Sequence, residues 1–179
     1  MNKRLMKPLG VALLTTLLCV FSLHAPYEPE FVPTPNEAQK IVKSYTKKDL
    51  DCLAKNIFYE ANTEPYKGKI AVGYVVINRK NNDNYPSTIC GVIYQKRRDK
   101  STGKMVSMFS WTSQRRLVSI SEDDLDKAKD AARCVLEKSC PDYSKGATHF
   151  HNTTVKPLWS KKLDYVGKIG KHIYYKEET

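Results

Sequence analysis

The stretch Asp49–Arg79, DLDCLAKNIFYEANTEPYKGKIAVGYVVINR, constrains this chain more than any other. Leu50, Leu53, Ala54, Ile57, Phe58 and Ala61 recur at i, i+3, i+4 and i+7, the spacing that gathers apolar side chains into one buried stripe of a helix. Thr46 or Asp49 is suited to cap its start, and Pro65 stops the helix soon after its last apolar position. The apolar run Ile70–Ile77 predicts a second helix. Glu60 and Glu64 therefore lie where one buried helix gives way, through a loop, to another. A carboxyl at such a place is partly desolvated while still facing a cleft. Desolvation raises its pKa toward the range in which it can donate a proton near neutral pH. The competing reading is a pair of solvated glutamates at a helix end, the commoner fate of that residue type.

The chain has 179 residues, room for one domain and an N-terminal appendage. Its net charge is +11, which suits an anionic partner such as nucleic acid, anionic lipid or a cell-wall polymer. Lys96-Arg97-Arg98 is the one dense basic cluster, and no aromatics interleave it, so no nucleic-acid partner is implied.

The N-terminus has the form of a secretory signal. Asn2–Lys7 is basic, and Leu9–Leu23 is an uncharged apolar run, short for a membrane span and of the right length for a signal core. Cleavage is expected after Ala25; the alternative is an uncleaved membrane anchor. Losing Lys3, Arg4 and Lys7 with that segment takes the net charge from +11 to +8. Pro26, Pro29, Pro33 and Pro35 make residues 26–47 an extended tether, with a short helical turn over Asn36–Lys43. Residues 48–179 form the expected catalytic domain.

Export changes the meaning of the cysteines. With Cys19 in the leader, Cys52, Cys90, Cys134 and Cys140 remain, an even number that suggests two disulfides. Three pairings are open. Cys134–Cys140, close in sequence, with Cys52–Cys90 is preferred.

Further along, Asn81–Ser87 is a turn-rich loop, Thr88–Gln95 a short helix, Lys96–Lys104 a basic segment ending in a reverse turn, and Lys104–Trp111 a strand, half of a hairpin. Ser121 caps a helix whose first turn is acidic and whose stripe is Leu125, Ala128, Ala132, Val135 and Leu136. Ala147–Asn152 and His172–Tyr175 read as strands, with a loop-rich segment, Val155–Gly170, between them. The sum is α+β: a single, mainly helical domain with a small sheet in its second half.

No GxSxG, Walker loop, GxGxxG or HExxH occurs. His149 and His151 stand two apart, on one face of a strand, with Phe150 toward the core. Such a pair serves as metal ligands or simply as a polar strand face. Trp111 and Trp159 are candidates for stacking on sugars or for burying area.

Taken together, the residues resemble the cell-wall hydrolase family that includes the spore cortex-lytic enzymes of the SleB type. The resemblance is carried by Glu60-Ala61-Asn62-Thr63-Glu64-Pro65-Tyr66-Lys67-Gly68, then Ala71–Arg79, Tyr85-Pro86 with Ile89-Cys90, Phe109-Ser110-Trp111, Ala147–Asn152, Val155-x-Pro157-x-Trp159, and Ile169-Gly170-x-His172 with Tyr174-Tyr175. These pieces stand in the family's order over nearly the whole exported part. Asn62-Thr63 replaces the Arg-Gly that many members have, and Met108 replaces their Gln.

The resemblance implies a lysozyme-like fold and cleavage of peptidoglycan glycan strands, without cofactor or metal. It makes Glu60 the catalytic acid; Glu64 is expected to orient the turn or to bind the sugar, and Tyr66, Tyr85, Phe109, Trp111, His149 and His151 are the further substrate-binding candidates. With no second carboxylate in a matched motif apart from Glu64, a lytic transglycosylase is favoured, since that reaction needs a single glutamate as acid and then base. The chain is read as an exported monomer, released or held at its N-terminus by the membrane. Two other readings compete: a metal-dependent amidase or peptidase cutting the peptide stem through His149 and His151, and a non-catalytic cell-wall-binding module.

Overall fold

The computed structural model describes residues 44–99, 102–115 and 118–177. The leader, its cleavage point, the Pro-rich tether and the turn expected over Asn36–Lys43 lie outside the described residues. Among the described residues no helix is long and apolar enough to cross a membrane.

The first helix, α1 (Lys47–Ala61), begins with a reciprocal cap. Thr46 Oγ1 accepts from the Asp49 amide at 3.1 Å, and Asp49 Oδ2 accepts from the Thr46 amide at 3.0 Å. Both residues named from the sequence thus share the task. The predicted stripe is buried, with Leu53 and Ile57 fully inaccessible. Asn56 lies in the same stripe, and its Oδ1 accepts from Trp111 Nε1 at 3.0 Å.

The second helix, α2 (Tyr66–Lys80), is buried on almost every side, from Gly68 to Val76 without a break. A helix covered all round belongs at the centre of a domain, and α2 packs on α1, on α3 (Ile89–Ile93), on α4 (Glu122–Leu136) and on the C-terminal sheet. Gly73 permits the close approach: a Cβ there would meet Val135 Cγ2 at 3.0 Å and Ile57 Cδ1 at 3.2 Å. Helix α4 starts where the sequence placed it. Ser121 Oγ accepts from the Asp124 amide at 3.2 Å, and Ala128, Ala131, Ala132, Val135 and Leu136 are buried.

The four helices are joined by two antiparallel sheets rather than one. Strands β1 (Lys96–Arg98) and β2 (Met105–Ser107) form a hairpin with Arg97 opposite Val106. The expected strand Lys104–Trp111 is therefore cut short. Ser110–Ser113 is a 3-10 turn in which the Thr112 hydroxyl donates to the Phe109 carbonyl at 2.9 Å and the Ser113 hydroxyl to that of Ser110 at 2.9 Å. Such local side-chain bonds compete with a strand ladder.

The second sheet has the order β3-β5-β4, from β3 (His149–Asn152), β4 (Asp164–Ile169) and β5 (His172–Lys176). Strand β4 corrects the loop reading of Val155–Gly170. Its sequence, DYVGKI, is short, carries a glycine and does not alternate cleanly. It is a strand because the tight turn through Gly170, at φ +55°, folds it onto β5 as an edge. Phe150 faces the core, as expected, against Phe109 and Tyr174.

Disulfides join Cys52 to Cys90 and Cys134 to Cys140, each across a Cα–Cα distance of 5.5 Å. This is the preferred pairing. The first ties α1 to α3, and the second ties the end of α4 to the loop before β3.

Replacing Gly73 by valine inserts methyl groups where α1, α2 and α4 already touch. It is expected to destabilise the domain by roughly 1–3 kcal/mol, read as a lowered midpoint of thermal unfolding.

Candidate active site

Glu60 stands in the last turn of α1, partly buried, and carries the most perturbed carboxyl in the domain: burial pushes its pKa up to about 7, and the positive charge of Arg79 pulls the other way. A glutamate so placed is part protonated at neutral pH and able both to give and to take a proton. The end of α1 is held from behind by Lys69, whose Nζ donates to the carbonyls of Ala61, at 2.6 Å, and of Asn62. These are carbonyls that a helix C-terminus leaves unpaired.

Arg79 closes α2 and is only 4% exposed. Its Nε donates to the Thr148 carbonyl at 2.6 Å, and its guanidinium lies 4.9 Å from the Phe109 ring centre and 5.5 Å from that of Tyr85. Burial brings its pKa down to about 10, which leaves it charged at neutral pH. Around it stand Tyr85, whose hydroxyl donates to Glu177 Oε1 at 2.8 Å, and His149, whose Nδ1 is 3.0 Å from Thr148 Oγ1 and 4.0 Å from Glu177 Oε1. Burial first, and then Arg79, pushes the His149 pKa down to about 4, so this imidazole is neutral at pH 7.

Four of the residues read from the sequence thus gather around Arg79: Glu60, Tyr85, Phe109 and His149. Tyr85 and Phe109 are 7% and 2% exposed and support the arginine; their ring faces are covered. Tyr85 and Phe109, expected among the substrate-binding residues, pack here against the arginine. Trp111 is likewise buried, anchored to Asn56 and stacked on Tyr59 at 4.7 Å. It still forms one wall of a cavity of about 230 Å³ with Lys55, Tyr59, Tyr94, Thr112 and Gln114. Tyr59, next to Glu60 on α1, and the half-exposed Tyr94 supply aromatic surface there.

The remaining candidates lie elsewhere. Glu64 is buried, and its Oε2 accepts from the Lys171 amide at 2.8 Å, fastening the α1–α2 turn to the turn between β4 and β5. It is a clamp on the backbone, which fits the turn-orienting role expected for it as the alternative to sugar binding. Tyr66, half exposed, opens α2. His151 is buried on the same strand face as His149. Its Nδ1 is 2.8 Å from the Asn152 carbonyl and its Nε2 3.2 Å from the Tyr175 hydroxyl, with Trp159 packed edge-on. Both ring nitrogens are engaged, and among the described residues no three His, Cys, Asp or Glu side chains converge as a metal site would require.

Four contributors were not named from the sequence. Arg79 had a signal: a single cation ending a long apolar helix has to be buried with a partner. Tyr59 and Tyr94 lie on helix ends with no distinguishing pattern. Glu177 reaches the site only because β5 carries it there.

The family model described as Cell Wall Hydrolase matches residues 63–175, starting just after Glu60. A spore cortex-lytic enzyme of Halalkalibacterium halodurans is 28% identical over 140 residues, 77% of this chain and 38% of that protein. Another, from Bacillus cereus, is 27% identical over 148 residues, 80% of this chain and 50% of that protein. The chain thus spans half the length of these relatives or less. Among solved structures, the catalytic domain of the germination-specific lytic transglycosylase SleB from Bacillus anthracis superposes with a TM-score of 0.59 at 25% identity, covering 76% of this chain and 100% of that one. The SleB catalytic domain from Bacillus cereus gives 0.55 at 26% identity, covering 74% and 92%.

With a pKa near 7 in the folded state against 4.5 ordinarily, Glu60 makes the native protein hold an extra proton between those values, so stability falls as pH rises through that window. Glu60→Gln removes the effect. It is expected to match the unaltered protein near pH 4.5 and to exceed it by about 3 kcal/mol at pH 8, measured by denaturant unfolding at both pH values.

Proposed function

Because the chain belongs to the cell wall hydrolase family, we propose that it cleaves the glycan strands of peptidoglycan as a lytic transglycosylase, with Glu60 as the single general acid and base. The observation that carries this is the carboxyl of Glu60, raised to about 7 at the end of a buried helix. The relatives' names, spore cortex-lytic enzyme and lytic transglycosylase, point the same way.

In the first step the protonated Glu60 gives its proton to the bridging oxygen, the glycosidic bond breaks, and the leaving sugar departs as an alcohol. Glu60 is then a carboxylate, and Arg79 stabilises that charge. In the second step Glu60 takes the proton of the 6-hydroxyl of the sugar that kept the reacting carbon. The freed oxygen bonds to that carbon and closes a 1,6-anhydro ring. Glu60 ends protonated, and no water is consumed. A hydrolase would instead need a second carboxylate to direct water or form an ester. Both nearby candidates already hold structural hydrogen bonds: Glu64 accepts from Lys171, and Glu177 accepts from Tyr85.

The aromatic cavity of Tyr59, Tyr94 and Trp111 suits a sugar face beside Glu60. The positive charge favours an anionic wall, an attraction that salt weakens. Action outside the cytoplasm is supported by the two disulfides. Among the described residues no converging ligand set stands behind the amidase reading, and a purely binding role leaves the perturbed Glu60 without a use.

Mass spectrometry of purified peptidoglycan digested with the protein should show soluble fragments with non-reducible anhydro ends. Glu60→Gln should lower the rate by about 10²–10⁴-fold, and kcat/KM of the unaltered enzyme should fall as pH rises above about 7, where Glu60 loses its proton. Reducible ends would assign a hydrolase. An active Glu60→Gln variant would overturn the role of Glu60.

A further inference from the structure

At the sheet edge opposite β3, Lys67, Lys145 and Lys168 line a cavity of about 220 Å³ together with Tyr143 and Tyr174. Each lysine comes from a different element, the first turn of α2, the loop before β3, and β4. Each is placed by a local feature. Lys67 Nζ lies 4.7 Å from the Tyr143 ring centre. Lys145 has φ +52° and precedes Gly146 at φ +81°, a left-handed pair uncommon for a residue with a side chain. Strand β4 slips register between Tyr165 and Gly167, an irregularity of the kind that re-aims strand side chains.

None of the three lysines makes an ion pair among the described residues. Two carboxylates stand close by: Glu64, near Tyr174, accepts from the Lys171 amide, and Asp142, in the cavity wall, has its oxygens taken by neutral donors. Oδ1 accepts from the amide and hydroxyl of Ser144 at 2.8 and 2.6 Å, and Oδ2 from the Gly146 amide at 2.8 Å and Asn78 Nδ2 at 3.2 Å. The cavity therefore keeps an excess of positive charge. Its wall also includes Tyr174, 1% exposed, whose buried hydroxyl has no hydrogen-bond partner. Buried donors are nearly always paired, and one left open beside a cationic cavity fits an acceptor supplied by a ligand.

We propose that this cavity binds a small oxyanion, a carboxylate or phosphate, carried by the polymer on which the enzyme acts. The oxyanion would be held by Lys67, Lys145 and Lys168, with the Tyr174 hydroxyl as a further donor. The oxyanion specificity stands on the cavity alone, and its source in the cell wall rests on the proposed function. Two sources share the chemistry: the carboxylates of peptide stems and the phosphodiesters of wall-attached polymers. Either contact would hold a glycan strand at a second point, away from Glu60.

The test uses the full chain carrying Glu60→Gln, so that binding is read without cleavage. Inorganic phosphate and N-acetyl-alanine are titrated against it and followed by NMR of the lysine side chains. Saturable shifts at Lys67, Lys145 and Lys168 are expected. The triple variant Lys67→Gln, Lys145→Gln, Lys168→Gln should weaken binding about tenfold or more, whereas a charge-matched triple, Lys48→Gln, Lys104→Gln, Lys156→Gln, should change it less than about twofold. Tyr174→Phe, which removes only the hydroxyl, should weaken binding about threefold or more while unfolding at the same temperature or higher. Absence of saturable shifts, equal losses in the two triples, or full affinity in Tyr174→Phe would each overturn the proposal. Sedimentation with insoluble wall then separates the sources. Retention lost on removing peptide stems assigns the carboxylate, and retention lost on removing phosphodiester polymers assigns the phosphate. Retention unchanged by both treatments overturns the wall assignment, whatever products the active enzyme gives.

Discussion

The domain depends on a buried arginine. Taking a guanidinium out of water costs several kcal/mol unless hydrogen bonds and opposite charge replace its hydration. Arg79 finds these in elements far apart in sequence: the Thr148 carbonyl beside β3, the faces of Phe109 and Tyr85, and the carboxylates of Glu60 and Glu177. Each partner fixes one piece of the fold, so holding one cation joins the helices to the C-terminal sheet, although Nη1 stays without a hydrogen-bond partner among the described residues. The same cation tempers Glu60. Burial alone would raise that carboxyl further, and the arginine holds it near 7, where giving and taking a proton are of similar ease.

A second buried charge organises the opposite end of the central helix. Glu64 receives the Lys171 amide, while Gly68 and Gly170 leave room for its side chain. Lys69, one turn along α2, donates to the carbonyls that end α1. The turn between the two long helices is thus gripped by a carboxylate on one side and an ammonium on the other. Glu60 sits immediately before this grip, and the precision of its placement follows from it.

Much of this was legible in the chain. The apolar periodicity of α1 and α4, the uninterrupted apolar run of α2, and the caps at Thr46 and Ser121 are local features, and local features survive into the fold. Strand β4 was not legible, because an edge strand of six polar-leaning residues takes its structure from its neighbour β5 and from the turn at Gly170. The aromatic residues showed the same limit. Trp111 read equally well as a sugar platform or as packing, and the fold buries most of it while leaving it one wall of a cavity.

What the sequence alone determined was the helical framework, the pairing-competent cysteines and the position of Glu60 at a helix end, since these follow from spacing along one segment. Tertiary structure decided the chemistry. It raised Glu60 by burying it, set Arg79 against it, kept His149 neutral, and gave Glu64 the backbone amide that makes it a clamp. It also brought Glu177 and the lysines of three elements to their sites. A pKa or a binding cavity depends on which groups share a low-dielectric space, and that is settled only when distant segments meet.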